Sequence, residues 1–304
     1  MNPPDLKRQT YLPSLLIAIL CFIWGSTWVG IKIGLEDSPP FLSAGFRFLL
    51  ATVFLYIWAK SRGVKFSSYR GQIAKILIPG FFLYYVSYSF VYWGEQYINA
   101  GLTAVLFATF PLFVSILATF HLKDEKLNLV KFLGIITGFS GIVIIFWENL
   151  SFTGENVLGG MAGIIVSALC SAYASVRVKR DLHLVDPVVI STYQMGLGTI
   201  LLLCSGFLFE RFSDFKISCK SIGALIYLAV FGSALAFVTY YWLMKKIDVT
   251  KLSLIAFVTP VVALLLGWMI LKETITGYLL LGTLLVIIGI WMVTRYSTIE
   301  RSTL

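Results

Sequence analysis

The sequence predicts an all-α integral membrane protein with ten transmembrane helices in two inverted five-helix repeats and both termini in the cytoplasm. Composition, the number of apolar stretches and an internal repeat support this prediction. Apolar residues make up 58% of the chain and charged residues 13%, which is about half the charged share of a typical soluble domain. In water such a chain would expose much of its apolar surface, whereas a lipid bilayer removes that cost.

Ten apolar stretches follow one another along the chain, and each is long enough to cross a hydrocarbon core of ~30 Å as a helix. Helices are expected because open sheet edges do not occur in lipid. The first stretch continues well beyond the apolar part of a signal peptide, so we expect it to be retained. The predicted spans are 12–34, 40–59, 73–94, 99–120, 129–147, 158–178, 186–208, 221–243, 250–271 and 275–294.

A series of one proline, one glutamate and two glycines occurs twice, 149 residues apart at the proline. Each predicted repeat contains five spans, which is an odd number, so the second repeat enters the membrane from the opposite side. The two repeats, 12–147 and 158–294, are therefore expected to be inverted about an axis in the membrane plane. The two copies are Pro111, Glu125, Gly134 and Gly141, and then Pro260, Glu273, Gly282 and Gly289.

The net charge of +9 is explained by topology and does not predict nucleic-acid binding. With a cytoplasmic N-terminus, eighteen lysines and arginines fall in inner segments and four in outer segments. This bias is typical of the positive-inside rule. The sequence therefore predicts that the partners of the chain are the lipid bilayer and a small-molecule substrate. It leaves the oligomeric state open, with a monomer among the alternatives.

No cofactor or metal site is predicted. The four cysteines have no zinc or redox spacing, and the two histidines are far apart in sequence at inner helix ends. A Walker-type glycine loop is absent, so nothing supports ATP-driven pumping. The residues concerned are Cys21, Cys170, Cys204, Cys219, His121 and His183.

The chain resembles the EamA family of the drug/metabolite transporter superfamily. The resemblance rests on the segment Trp24-Gly25-Ser26, on Lys32 and Arg47, and on the duplicated proline–glutamate–glycine series. It implies ten helices in an inverted 5+5 arrangement around a central cavity lined mainly by spans 1, 3, 4, 6, 8 and 9. It also implies export of metabolites, amino acids or toxic compounds.

Two basic residues inside predicted spans are candidates for this cavity. Lys32 shares one face of span 1 with Trp24 and Trp28. It either reaches the outer interface, where it could pair with Glu36, or faces the outer mouth of the cavity. Arg47 lies about two turns inside span 2, where a guanidinium needs a partner. It either anchors neighbouring helices or binds a carboxylate or phosphate of the substrate.

Aromatic side chains on spans 3, 6 and 8 either line the cavity or only pack between helices and at the interfaces. Span 3 also carries the only acid near the cavity, close to its outer end. Since no acid lies deep in any span, a facilitator or an exchanger fits the sequence as well as a proton-driven antiporter. These candidates are Tyr84, Tyr88, Tyr92, Glu95, Tyr173 and Tyr240.

Several uncharged polar residues have two open interpretations. Ser26, Thr103 and Ser175 either line the cavity or bond to carbonyls of their own helices. Gln194 is placed by the repeat near the equivalent of Arg47, with a shift of two residues.

The duplicated series itself carries structural predictions. Pro111 and Pro260 are expected to bend spans 4 and 9, either as hinges or as static bends. Glu125 and Glu273 are expected to cap the N-termini of the helices that follow them. The glycines of the series, together with Gly138, are expected to let spans 5 and 10 pack closely against neighbours.

The function expected from these features is a secondary transporter, not an enzyme. It would export a small organic metabolite, such as an amino acid or an amphipathic or toxic compound, across the plasma membrane of a prokaryote by alternating access. One alternative is an exchanger of sugar phosphates or nucleotide-sugars. An intramembrane enzyme, a passive channel and a non-transporting scaffold are further alternatives.

Overall fold

The protein was analysed as a computed structural model that describes residues 3–122, 129–149, 156–216, 218–247, 249–253 and 255–302. All long elements in these ranges are helices, and we number them α1 to α10. They are α1 Pro3–Leu35, α2 Pro40–Ser61, α3 Phe66–Gly94, α4 Ala100–His121, α5 Leu129–Asn149, α6 Val157–Asp181, α7 Pro187–Phe209, α8 Cys219–Lys246, α9 249–271 without residue 254, and α10 Gly277–Ser302.

Seven of these helices, α1 to α4 and α6 to α8, are long and apolar enough to cross a membrane over their described residues. The remaining three contain shorter apolar stretches, Phe132–Ile145, Val258–Leu271 and Gly277–Gly289. The helix ends follow local sequence. For example, the Asn99 side chain accepts a hydrogen bond from the Leu102 amide at 2.7 Å and so caps α4. Likewise, Asp186 caps α7 through the Val188 amide at 2.8 Å, with Pro187 as the first helical residue.

The packing of the helices has two-fold pseudosymmetry. Helix α1 packs against α9 and α8, and the equivalent helix α6 packs against α4 and α3. The remaining large contacts, α2 with α7 and α5 with α10, are between equivalent helices. Exchanging the two halves therefore maps each major contact onto another one. Because each half has five helices, this symmetry inverts the second half relative to the first.

The glycines of the duplicated series show the same symmetry at the α5–α10 contact. A Cβ atom added to Gly141 would lie against the carbonyl oxygen of Gly282. One added to Gly289 would lie against the carbonyl oxygen of Gly134 and the backbone of Gly138. The first glycine of each copy thus meets the second glycine of the other copy. This confirms the close packing predicted for spans 5 and 10, and it shows that they pack on each other.

Helices α3 and α8 each contain a π-helical segment at equivalent positions. The segments are Phe81–Ser87 and Val230–Leu235, which begin 149 residues apart. A π-helical turn places extra residues in one turn and changes which side chains face each neighbour. These two segments therefore shift the phase of the residues that follow them, and both lie beside the centre of the bundle.

The two prolines that were predicted to bend their helices lie in different settings. Helix α4 is interrupted at residues 108–109, and Pro111 lies in the first turn of the segment Phe110–His121. There the missing amide of proline costs little, because first-turn amides have no helical partner. Pro260, by contrast, lies inside the continuous segment Ile255–Leu266.

Candidate functional site

A cavity of about 100 Å³ lies between the two halves of the bundle. Its walls come from α1, α3, α4, α6, α8 and α9, with one residue of α2. The residues that line it are Trp24, Thr27, Trp28, Ile31, Arg47, Leu83, Ser87, Tyr88, Val91, Phe107, Phe110, Ser171, Ser175, Phe237, Tyr240, Leu252, Ser253, Ile255, Ala256 and Thr259. We call this space the central cavity.

Aromatic rings form much of its wall. The ring of Trp24 lies 5.3 Å from that of Phe237 and 5.1 Å from that of Tyr240, between centroids. On the same face of α1, Trp28 lies 5.1 Å from Phe107. Rings tilted at these distances attract each other and fix the shape of the wall. The cavity therefore offers a rigid, apolar surface to a solute.

Arg47 is the only charged residue among the described residues that line the cavity. It is 1% exposed, and its Nε donates to Ser233 Oγ at 2.7 Å. One terminal nitrogen, Nη1, donates to the hydroxyl of Tyr92 at 3.3 Å, and Nη2 donates to the carbonyl of Gly232 at 3.4 Å. The guanidinium carbon also lies 5.1 Å from the ring centroid of Tyr88. These contacts hold the guanidinium by neutral groups, and within the described chain no carboxylate forms an ion pair with it.

The equivalent position in the second half carries a neutral amide that makes similar contacts. Gln194 accepts a hydrogen bond from the hydroxyl of Tyr241 at 2.7 Å and donates to the carbonyl of Ile76 at 3.0 Å. Tyr241 stands 149 residues after Tyr92 in the sequence. The polar link between helices therefore exists in both halves, but only the half with Arg47 carries a charge.

The cavity also contains N–H donors that the contacts above do not use. A guanidinium has five N–H groups, and Arg47 uses three of them in the contacts above. The Nε1 atom of Trp28 is buried and meets no acceptor among the described residues. A buried donor without an acceptor is costly. A solute that brings acceptor oxygens would therefore be stabilised here.

Small hydroxyl side chains complete the polar part of the wall. Ser87 Oγ lies 2.8 Å from both Ser171 Oγ and Ser167 Oγ, which joins α3 to α6. Ser175 lies one turn further along α6 and also lines the cavity. These groups can both donate and accept.

Six of the thirteen predicted cavity residues line the central cavity, and seven lie elsewhere. Those that line it are Trp24, Trp28, Arg47, Tyr88, Ser175 and Tyr240. Those that lie elsewhere are Ser26, Lys32, Tyr84, Glu95, Thr103, Tyr173 and Gln194.

The seven residues outside the cavity have other contacts. Ser26 bonds to Tyr227 at 2.5 Å, and Thr103 donates to the carbonyl of its own residue i−4, Asn99. Tyr173 accepts a hydrogen bond from Arg177 at 2.8 Å.

Tyr84 lies in the π-helical segment of α3 and packs against Phe48 and Phe237. The cavity wall instead takes Leu83, Ser87 and Val91 from the adjacent face of α3, together with the predicted Tyr88.

Lys32 binds main-chain carbonyls at the end of a neighbouring helix. Its Nζ donates to the carbonyls of Glu95 at 2.5 Å and Ile98 at 2.8 Å, at the C-terminal end of α3. Lys179 makes the equivalent contacts in the second half, to the carbonyls of Met244 at 2.5 Å and Ile247 at 3.0 Å. A cation stabilises the negative end of a helix dipole and its unpaired carbonyls. We call the two ends of the bundle the Lys32 end and the Lys179 end.

Glu273 caps a helix, but not the one predicted. Its two carboxylate oxygens accept from the amides of Ala100 at 2.7 Å and Gly101 at 3.0 Å, at the start of α4. The helix that follows it in sequence, α10, begins four residues later, too far for a cap. Glu273 therefore fastens the second half to the first at the Lys32 end. Its counterpart Glu125 lies outside the described residues.

Several lining residues were missed by the sequence analysis. Phe107 and Phe110 flank the interruption of α4 next to Pro111, so their proximity to the proline was an available signal. Ser171 lies on α6 one turn before Ser175, which was a candidate, so helical spacing could have identified it. Ser87 lies at the end of the π-helical segment of α3, and no residue pattern in span 3 singled it out. Phe237 is the repeat equivalent of Tyr88, at a distance of 149 residues, and the repeat could have identified it.

The fold defines a ten-helix membrane protein with an internal cavity between two related halves. The chain belongs to the EamA-like transporter family, whose model matches residues 12–147 and 158–295.

Relatives span nearly its whole length. The uncharacterized inner membrane transporter YedA of Escherichia coli K12 is 31% identical, over 90% of this chain and 88% of that protein. The uncharacterized transporter YoaV of Bacillus subtilis is 29% identical, over 91% and 94%. A crystal structure of a protein 21% identical in sequence shares the fold, with a TM-score of 0.70 over 94% of this chain and 98% of that one.

Proposed function

We propose that the protein is a secondary carrier that exports a small organic metabolite, an amino acid or an amphipathic compound, across the plasma membrane by alternating access. The observation that supports this most is the central cavity, because both inverted halves contribute to it. A site at the interface of inverted repeats is typical of carriers that rock one half against the other. In this proposal both termini are cytoplasmic, and the Lys32 end faces outward.

The cavity chemistry favours a solute with an apolar body and one anionic or strongly accepting group. The two N–H groups left on Arg47 and the indole N–H of Trp28 suit a carboxylate. The rings of Trp24, Phe107 and Phe237 suit an apolar or aromatic side chain.

An exchanger of sugar phosphates or nucleotide-sugars fits the cavity less well. Such a substrate carries more than one negative charge and would need several basic side chains, whereas Arg47 is the one cation in the described lining. A volume of about 100 Å³ also suits a small solute better than a nucleotide-sugar. The described lining contains no histidine, cysteine or carboxylate, which supports a carrier over an intramembrane enzyme.

Counterflow in liposomes tests the proposal. Purified protein would be reconstituted in liposomes that are loaded with unlabelled solute, and entry of the labelled solute would be measured. The panel contains aromatic, aliphatic and sulfur amino acids, with a sugar phosphate as the contrast. A carrier gives saturable entry that is stimulated from the opposite side. Entry that neither saturates nor responds to solute on the other side would indicate a channel. No entry of any compound by folded protein would contradict the carrier function.

A further inference from the structure

A buried carboxylate at the Lys32 end has no role in the contacts described so far. Glu95 directly follows the last residue of α3 and is 0% exposed. The sequence analysis placed it close to the outer end of span 3, and the structure shows that its side chain is buried there. Both carboxylate oxygens are buried and accept no hydrogen bond from any described residue. The main-chain carbonyl of Glu95 binds Lys32, but the described side chains include no ion pair between the two.

The second half of the molecule shows that the architecture does not need this acid. Lys179 binds the main-chain carbonyls of Met244 and Ile247 as Lys32 binds those of Glu95 and Ile98. Met244 is the repeat equivalent of Glu95, 149 residues later. A methionine at the equivalent position therefore makes the same main-chain contact with lysine. The carboxylate of Glu95 is an addition to the first half alone.

The charged groups around Glu95 are already engaged. Lys32 from α1 donates hydrogen bonds to two carbonyls. Glu273 from the segment before α10 accepts hydrogen bonds from two amides of α4. Arg47 from α2 is held by neutral groups and faces the central cavity. Helix α6 contributes Gly160 and Ile164 near Gly94, and neither residue titrates. Glu36, at the end of α1, is exposed.

An ionised carboxylate without a partner is too costly in such surroundings, so it binds a proton or a metal cation. A sodium ion would need several oxygen ligands, and the nearby carbonyls of Glu95 and Ile98 are occupied by the ammonium of Lys32. A proton needs no further ligand.

We propose that Glu95 is a proton-binding site of the carrier. The carboxyl group holds a proton while the Lys32 end is fastened by Lys32 and Glu273. It releases that proton to water when this end opens and the carboxylate is hydrated. The release step rests on the proposed carrier function, whereas the protonated state in this conformation does not. Transport would then respond to the pH of the solution at the Lys32 end.

Infrared spectroscopy tests the protonated state without any substrate. The purified wild-type protein at neutral pH should show a C=O stretching band of a buried protonated carboxyl group that is missing in Glu95→Gln and unchanged in Glu36→Gln. A band that is absent from the wild type, or that persists in Glu95→Gln, would overturn the proposal. Glu95→Met, which copies the second half, is a second variant. If neither variant folds, the acid is structural and the proposal is wrong.

Counterflow tests the release step. With a solute that the wild type exchanges, the wild-type rate should change with pH by up to about tenfold per unit, the limit for one proton. Glu95→Gln should keep counterflow but lose this dependence, and Glu36→Gln should retain it. A pH-independent wild-type rate, or a dependence that survives in Glu95→Gln, would overturn coupling to Glu95. Absence of all counterflow would instead contradict the carrier function and leave the infrared result to decide the protonated state.

Discussion

At the scale of single residues, the second half of the molecule serves as an internal control for the first. Lys32 and Lys179 make the same main-chain contacts, and Tyr92 and Tyr241 bind the side chains at equivalent positions of α2 and α7. Where the halves agree, the residue serves the architecture. Where they differ, as at Arg47, the residue is a candidate for the solute site.

Arg47→Gln copies the second half and tests this distinction. Because Gln194 makes the equivalent helix contacts without a charge, the variant should fold. It should nevertheless lose counterflow of an anionic or zwitterionic solute by at least about tenfold, since a hydrogen bond to a charged group is worth about 1.5–3 kcal/mol. Arg62→Gln, which removes a half-exposed ion pair with Asp186 at 3.4 Å, is the control and should keep its flux. Full flux in Arg47→Gln would leave Arg47 with a structural role only.

Sequence reasoning identified six lining residues and missed those whose position depends on the neighbouring helices. Trp24 and Trp28 lie one turn apart on α1, so their spacing predicted a common face. Arg47 of α2 was predicted to face the interior because a guanidinium in lipid needs a partner. Tyr84 lies in a π-helical segment, and no residue pattern in α3 predicts such a segment. The tertiary partners of Lys32 and Glu273 belong to other helices, and spacing along one helix cannot reveal them.

At the scale of elements, some helix ends are secured by residues from the other half. Glu273 is the clearest case, since it supplies both acceptors for the first amides of α4. Glu273→Ala leaves these amides without acceptors and should lower the free energy of unfolding by about 0.5–2 kcal/mol. A fluorescence-monitored thermal unfolding series measures this, with the exposed Glu36→Ala as the control. Equal stability of the two variants would mean that other groups accept hydrogen bonds from the first amides of α4.

The α5–α10 contact depends on backbone approaching backbone. A Cβ at position 282 would meet Ile145 and the carbonyl of Gly141, whereas a Cβ at position 223 would meet nothing within 4 Å. Gly282→Ala should therefore destabilise the protein by about 1–3 kcal/mol through overpacking. Gly223→Ala should be neutral or slightly stabilising. Thermal unfolding of both proteins in one detergent gives the comparison, and similar midpoints would contradict the close packing.

At the scale of the whole molecule, the sequence predicted the architecture well because lipid restricts the choices. Apolar stretches must become helices in a bilayer, and an odd number of spans in each repeat requires inversion. The pairing of α1 with α9 and of α4 with α6 was not predictable in the same way. It depends on how side chains fit between helices, and the repeat shows only that any such pairing occurs twice.

The central claim is that the two halves move against each other around the cavity. At the Lys32 end, Asp37 and Ser218 from opposite halves are joined by a hydrogen bond between their side chains. At the Lys179 end, His121 and Tyr173 face each other with ring centroids 6.4 Å apart. Cysteine pairs at these two sites, in a background whose four native cysteines are replaced, can fasten either end.

The most direct measurement is counterflow before and after oxidative cross-linking of each pair, with the single-cysteine proteins as controls. We predict that fastening either end stops counterflow, and that a reductant restores it, because every cycle must open both ends in turn. Full counterflow through protein that is cross-linked at either end would contradict alternating access by these two halves.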